Sequence, residues 1–237
     1  MSAGWCSRGT VWPAAGILLA MLLAGCATDR PFESDRSAAA AYNVQLGYGY
    51  MSQGQYERAL AKFKKALEQS PRDAEAHAGL GQLYGRLQQD RQARHHFEQA
   101  LSYSKDDPAI RNSFGAYLCT EGEFDTAERY FLAAARDPDY GTPAYAYANA
   151  GICAADAGQP RQAEALLREA LQIDPLLPSA LWEMAKVHLT LDEPAVAEAY
   201  LRRYRSVAPD SAQVRELASD IAQAAIDAAP AEDGTEP

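Results

Sequence analysis

Basic residues are in deficit. The 237-residue chain sets 22 Lys and Arg against 32 Asp and Glu, for a formal charge of −10 and a pI near 4.9. A phosphate-backbone binder needs a basic face that releases counterions, so this balance argues against a nucleic-acid partner. Cysteine is scarce: four residues are too few to hold a small disulfide scaffold together. There is no HExxH, no G-x-S-x-G, no Walker loop and no dinucleotide fingerprint. The four histidines, His77, His95, His96 and His188, lack paired cysteines at zinc spacing and read as solvated or packed side chains. His95 and His96, neighbours on one helix, point to different faces and make poor co-ligands. Neither an enzyme nor a metal, a soluble cofactor or a small-molecule substrate is therefore expected. What the chain has in plenty is alanine, 48 residues, with 13 prolines and 16 glycines to punctuate it. That composition favours helix over sheet.

The only long apolar run is near the N-terminus. Residues 14–24 are almost wholly apolar, with Arg8 the one charge before Asp29. Such a run is too short to cross a bilayer comfortably but suits the core of a signal peptide. It ends in Leu23-Ala24-Gly25-Cys26, which resembles a bacterial lipobox. Small residues fit a narrow peptidase cleft, and Cys26 supplies the sulfur that carries lipid. Residues 1–25 are thus expected to be a lipoprotein signal peptide. Several acyl chains on Cys26 would hold the mature protein at a membrane, where one chain alone binds marginally. Ala27, rather than aspartate, follows the cysteine. By resemblance to enterobacterial sorting rules, the expected address is the outer membrane, facing the periplasm. Residues 26–39 read as a polar tether, of which residues 27–38 span at most about 40 Å when extended.

A period of 34 dominates the rest. Alanines recur at Ala59, Ala93, Ala127, Ala163 and Ala197, with a small residue twelve positions earlier at Gly47, Gly81, Gly115, Gly151 and Ala185. Four positions later stand Phe63, Phe97, Phe131, Leu167 and Leu201. Seven later come Ala66, Ala100, Ala134, Ala170 and, as the one departure, Tyr204. Each unit reads as two antiparallel helices whose backbones meet at the small residues, while the Phe or Leu shares the buried stripe of the alanine. Turns at Gln53-Gly54, Gln89-Asp90, Glu121-Gly122, Ala157-Gly158 and Asp192-Glu193-Pro194 divide the helix pairs. This is the tetratricopeptide (TPR) pattern. The expected fold is all-α, a right-handed TPR superhelix of five units (40–73, 74–107, 108–143, 144–177 and 178–211). Two extra residues in unit three, with two prolines and a glycine across 137–143, suggest a protruding loop. Residues 212–228 read as a capping helix through Val214, Leu217, Ile221 and Ala225; 229–237 read as a disordered acidic tail.

Cys119 and Cys153 fall on first helices of adjacent units, which pack side by side. Two readings stand: a disulfide stapling units three and four, favoured by an oxidising compartment, or two buried free thiols acting as small apolar side chains. First helices of a TPR stack line its concave groove, at repeat positions 2, 5, 6, 9 and 12. The candidates there are Tyr48, Gln82, Asn112, Tyr145, Asn149, Ile152, Trp182, Glu183 and Lys186. Amides and aromatics on a concave wall suit an extended peptide or a partner helix. Tyr145 and Trp182 read equally well as packing between helices. TPR domains that grip a C-terminal carboxylate use several lysines and arginines; with Lys186 alone answering, no such clamp is expected.

The runs RNSFGAYLCTEGEFDTAERYFLAAARDPDY and PAYAYANAGICAADAGQPRQAEALLREALQIDP, and LWEMAKVHL followed by AEAYLRRY, resemble the type IV pilus biogenesis family PilF, also called PilW. The lipobox, the repeat number, the lengthened third unit and the cysteines fit the same resemblance, which covers about residues 26–211. Family members generally continue into a sixth TPR, where this chain has one helix and an acidic tail. The resemblance implies a pilotin: a lipid-anchored scaffold that helps the pilus secretin localise or multimerise in the outer membrane. The competing expectation is a periplasmic TPR lipoprotein adaptor that recruits peptidoglycan synthases or hydrolases through the same anchor and groove.

Overall fold

The computed structural model describes residues 30–104 and 107–228, and the secondary structure there is helical with no strand. Eleven helices follow in chain order: α1 (Arg30–Ser52), α2 (Tyr56–Gln69), α3 (Ala74–Arg86), α4 (Asp90–Tyr103), α5 (Pro108–Thr120), α6 (Phe124–Ala135), α7 (Pro143–Asp156), α8 (Pro160–Ile173), α9 (Pro178–Thr190), α10 (Pro194–Arg205) and α11 (Ala212–Asp227). They form five hairpins and a final single helix, the TPR superhelix the 34-residue period predicts.

Local chemistry marks the starts and stops. The Asp73 carboxylate caps α3 by accepting from the Ala76 amide at 2.9 Å, and Asp107 caps α5 by accepting from Ala109 at 2.8 Å. Proline opens α5, α7, α8, α9 and α10, where its missing N–H costs nothing. The turns inside hairpins need one residue in the left-handed region. Gly54, Gly122 and Gly158 supply it in three hairpins, while Gln88 (φ 56°) and Asp192 (φ 60°) do so in the other two.

The repeating core is a column of large side chains, each set on a small one. Phe63, Phe97, Phe131, Leu167 and Leu201 are at most 1% exposed. Burial of each contributes about 1.5–3 kcal/mol. A Cβ built on Gly151 would stand 2.6 Å from Leu167 Cγ and 3.2 Å from the Ala163 carbonyl oxygen, so the two helices approach closely only because the residue is glycine. Tyr204, the departure from the alanine column, leans on Trp182 with ring centroids 5.2 Å apart.

One boundary and two packing details differ from the sequence reading. Residues 30–39, expected as part of the 26–39 tether, belong to α1, which starts ten residues before the expected first unit. Pro31 sits in the first helical turn, where it is tolerated, and the alanine run at 38–41 favours helix. The extension is also held in place: the Arg36 guanidinium donates to the Glu68 carbonyl at 3.3 Å, Asn43 donates to Gln69 Oε1 at 2.9 Å, and Ala40 is fully buried. The connection before α7 does not protrude throughout, because Tyr140 folds back onto Ala134, Ala135 and Ala146. In α11, Val214, Leu217 and Ile221 are buried against the last hairpin, but Ala225 is exposed because it lines an open hollow beside α10 instead of packed core. Residues 1–25, expected as a signal peptide, Cys26 and residues 229–237, expected as a disordered tail, lie outside the described residues. No helix among the described residues is long and apolar enough to cross a membrane.

The backbones of successive first helices approach closely, α1 with α3, α3 with α5, α5 with α7, α7 with α9 and α9 with α11. Second helices stand farther apart among the described residues and reach one another through long side chains, as where Gln162 of α8 donates to Glu128 of α6 at 2.7 Å. Elements on the inside of a bend crowd together and those outside splay apart. The odd-numbered helices therefore line the concave wall.

Candidate functional site

The centre of that wall is an amide ladder. Gln82 of α3 donates through Nε2 to Ser113 Oγ of α5 at 3.2 Å, and Asn149 of α7 donates through Nδ2 to Asn112 Oδ1 of α5 at 3.0 Å. Each bond crosses from one unit to the next and fixes a polar side chain that would otherwise sample many rotamers. Each amide spends one of its two groups in the ladder. Gln82 Oε1, Asn112 Nδ2 and Asn149 Oδ1 have no protein partner among the described residues and are not buried unsatisfied atoms, so they face solvent in the concavity.

Beside the ladder lies a hollow of about 550 Å³. Gln82, Asn112, Ser113, Ala116 and Tyr117 line it, together with the charged Arg86 and Glu121. Gly85 leaves room for the Tyr117 ring, since a Cβ there would come within 3.1 Å of Tyr117 Cδ2. The Tyr117 hydroxyl donates to the Asp90 carbonyl at 3.1 Å, and burial followed by the acidic Glu121 pushes its pKa up, so it stays a neutral donor. Ser113 and Ala116 occupy repeat positions 6 and 9 of unit three, the register already used for the other candidates. That register could have found them. Tyr117 and Arg86 fall outside it, and no sequence signal points to them.

The remaining candidates separate. Tyr145 is 51% exposed, at the start of α7. Ile152 is half-buried further along the same helix. Trp182 packs against Tyr204 within the C-terminal core and so takes the packing role. Glu183 is buried and pairs with Lys186 Nζ at 2.9 Å, so neither presents a free charge to a ligand. Tyr48 is a strut between units: its ring meets Phe63 edge-on at 5.2 Å and its hydroxyl donates to the Glu75 carbonyl at 3.4 Å. Burial, then Glu75, Asp73 and Asp107, drive its pKa up.

Cys119 of α5 and Cys153 of α7 are joined by a disulfide with 5.8 Å between their Cα atoms. It ties together the two helices that carry Asn112 and Asn149. Among the histidines, His77 of α3 and His96 of α4 meet with 3.0 Å between their Nδ1 atoms, while His77 Nε2 donates to the Pro71 carbonyl at 3.3 Å. His77 is therefore the acceptor from His96. Burial first, then the neighbouring His77, His95 and Lys64, lower the His96 pKa to about 4. His188 is buried, stacks on Tyr200 and bonds Glu193 Oε2 at 2.7 Å; this bond, then Arg161, holds the Glu193 carboxyl below its usual range. No group of three or more metal-ligating side chains occurs among the described residues.

Comparison with known proteins adds the family context. Models described as tetratricopeptide repeat or TPR repeat match residues 47–88, 74–107 and 154–221; they describe a repeat, not a catalytic domain. The Type IV pilus assembly protein PilF of Pseudomonas aeruginosa is 30% identical over 182 residues, covering 74% of this chain and 72% of that one. Among solved structures, PilW, described as a widely conserved type IV pilus biogenesis factor, superposes with a TM-score of 0.73 at 32% identity, over 80% of this chain and 87% of its own. The P. aeruginosa PilF structure gives 0.72 at 25% identity, over 81% and 87%.

Proposed function

The chain belongs to the PilF/PilW family of type IV pilus proteins, and from that premise we propose that it acts as a pilotin, a lipid-anchored TPR scaffold that binds the pilus secretin and promotes its localisation and multimerisation in the outer membrane. The observation that carries this reading is the amide ladder along the hollow on the concave wall. An extended peptide carries a donor and an acceptor on each residue, and the open groups of Gln82, Asn112 and Asn149 can answer both. Because the ladder already fixes these side chains, binding loses little rotamer entropy. Tyr145, exposed on the same wall, offers an apolar face with a polar tip to a side chain of the bound segment. Acyl chains on Cys26 would confine protein and secretin to one membrane surface, raising their effective concentration without any new contact.

The test is an immunoblot of unheated membranes for the secretin. A deletion strain is compared with strains restored by wild-type, Cys26→Ser or Asn112→Leu/Asn149→Leu protein. Loss of the detergent-resistant multimer on deletion, with full rescue by wild type only, is the expected result. Normal multimers in the deletion strain would sink the pilotin reading.

A further inference from the structure

α11 repeats the face that every first helix turns toward its own second helix, but among the described residues nothing covers it. In the five hairpins that face carries a small residue, ending with Ala185; the same register in α11 is Ser219, which is exposed. Between α10 and α11 runs a hollow of about 550 Å³, walled by Leu201, Ala218, Ala222 and Ile226 and lined also by the charged Glu198, Arg202 and Arg205. Ile226 is 68% exposed, more than any other large apolar side chain among the described residues. Residues 229–237, APAEDGTEP, contain no large apolar side chain with which to fill such a slot.

We infer that α11 of a second copy of this chain fills the slot, the two molecules being related by a two-fold axis with their α11 helices antiparallel. At 16 residues α11 is long enough for a place that helices of 12–14 residues occupy in the other hairpins. Second helices run antiparallel to their first helices, and an isologous pair of α11 helices does the same. An axis through Ala222 sets Ala218 of each copy opposite the partner's Ile226, a small residue facing a large one, twice. Ala222 then meets its own copy, where its methyl group permits close backbone approach. The charges agree. α10 leads through a short connection into the first turn of α11, so Arg202 and Arg205 stand beside the first half of that helix. The partner's last turn arrives there with Asp227, no basic residue and the negative end of the helix dipole. Arg202 is held only by a 4.0 Å contact to Glu198, and Arg205 forms no ion pair among the described residues.

Sedimentation equilibrium of the whole chain in density-matched detergent, with Ala222→Cys as a covalent reporter, tests this. Wild type sediments as two chains at micromolar concentration, and Ala222→Cys forms a reducible two-chain species without added cross-linker. Ile226→Asp weakens association by about tenfold or more, the equivalent of at least about 1.4 kcal/mol. Arg205→Asp also weakens it, and adding Asp227→Arg restores it. All these changes are at the surface, and circular dichroism establishes that each variant is folded. A single-chain mass at every concentration, or a two-chain mass untouched by Ile226→Asp and not captured through Cys at 222, overturns the inference. So does a single-chain mass that doubles only when 229–237 is deleted, because the tail would then be the occupant.

Discussion

His77 and His96, nineteen positions apart, meet in the second hairpin as a neutral pair. Both have pKa values below the ordinary 6.5, His96 down to about 4. A base whose folded pKa lies below its unfolded value leaves the unfolded chain holding more protons between the two, so stability rises with pH there. This contribution is complete above pH 6.5 and is lost as the pH falls toward 4. Full expression of the His96 shift would be roughly 3 kcal/mol, but the ring is half-exposed and solvent screening trims this to about 1–2 kcal/mol. Urea denaturation across that window is expected to show the loss in wild type and a flatter profile in His96→Gln; equal slopes would refute it. Gly151 gives a second residue-scale expectation. Exchange of a helical glycine for alanine usually gains about 1 kcal/mol. Here the methyl group would strike Leu167 and approach the Ala163 carbonyl. Overpacking of that kind costs about 1–3 kcal/mol, so Gly151→Ala is expected to be neutral to destabilising by about 2 kcal/mol in thermal or urea unfolding, never stabilising by the usual amount.

At the scale of helices, the Cys119–Cys153 bond closes a loop with a sequence separation of 34. The chain-entropy relation puts its contribution at no more than about 4 kcal/mol. Reductant, or Cys119→Ser with Cys153→Ser, is expected to lower the unfolding free energy by about 2–4 kcal/mol; a urea midpoint indifferent to reductant would mean that the bond is absent. The five hairpins were legible because each unit repeats the same packing problem, and the small residue under Phe63, Phe97, Phe131, Leu167 or Leu201 is its signature. The start of α1 was not, since a polar stretch with a proline reads as a tether unless one knows that Pro31 falls in a first turn and that Asn43 and Arg36 reach α2. Groove register placed Gln82, Asn112 and Asn149 on the concave wall. It could not tell that Tyr48, Trp182 and Glu183 would turn toward Phe63, Tyr204 and Lys186, because register specifies a helix face and not what a long side chain finds to touch within reach of it.

Across the whole molecule, each helix contacts only near neighbours along the stack, from α1·α2 to α9·α11. Stability in such an array is a sum of local terms and neighbour interfaces, so damage at one end need not reach the other. α11 closes the C-terminal end by burying Val214, Leu217 and Ile221 against Leu201 and Ala197. Leu217→Ala is expected to cost about 2–3 kcal/mol, near the low end for a buried leucine because the site lies at the edge of the core. Hydrogen exchange decides how far that cost travels. Faster exchange confined to α9, α10 and α11, with α1–α4 unchanged, is the outcome for a quasi-one-dimensional stack. The disulfide between α5 and α7 sits between the two ends and should act as the firewall, so reduction together with Leu217→Ala is expected to carry faster exchange into α7 and α8. Uniform acceleration through α1 in the oxidised Leu217→Ala protein would instead mean that the solenoid unfolds as one cooperative unit.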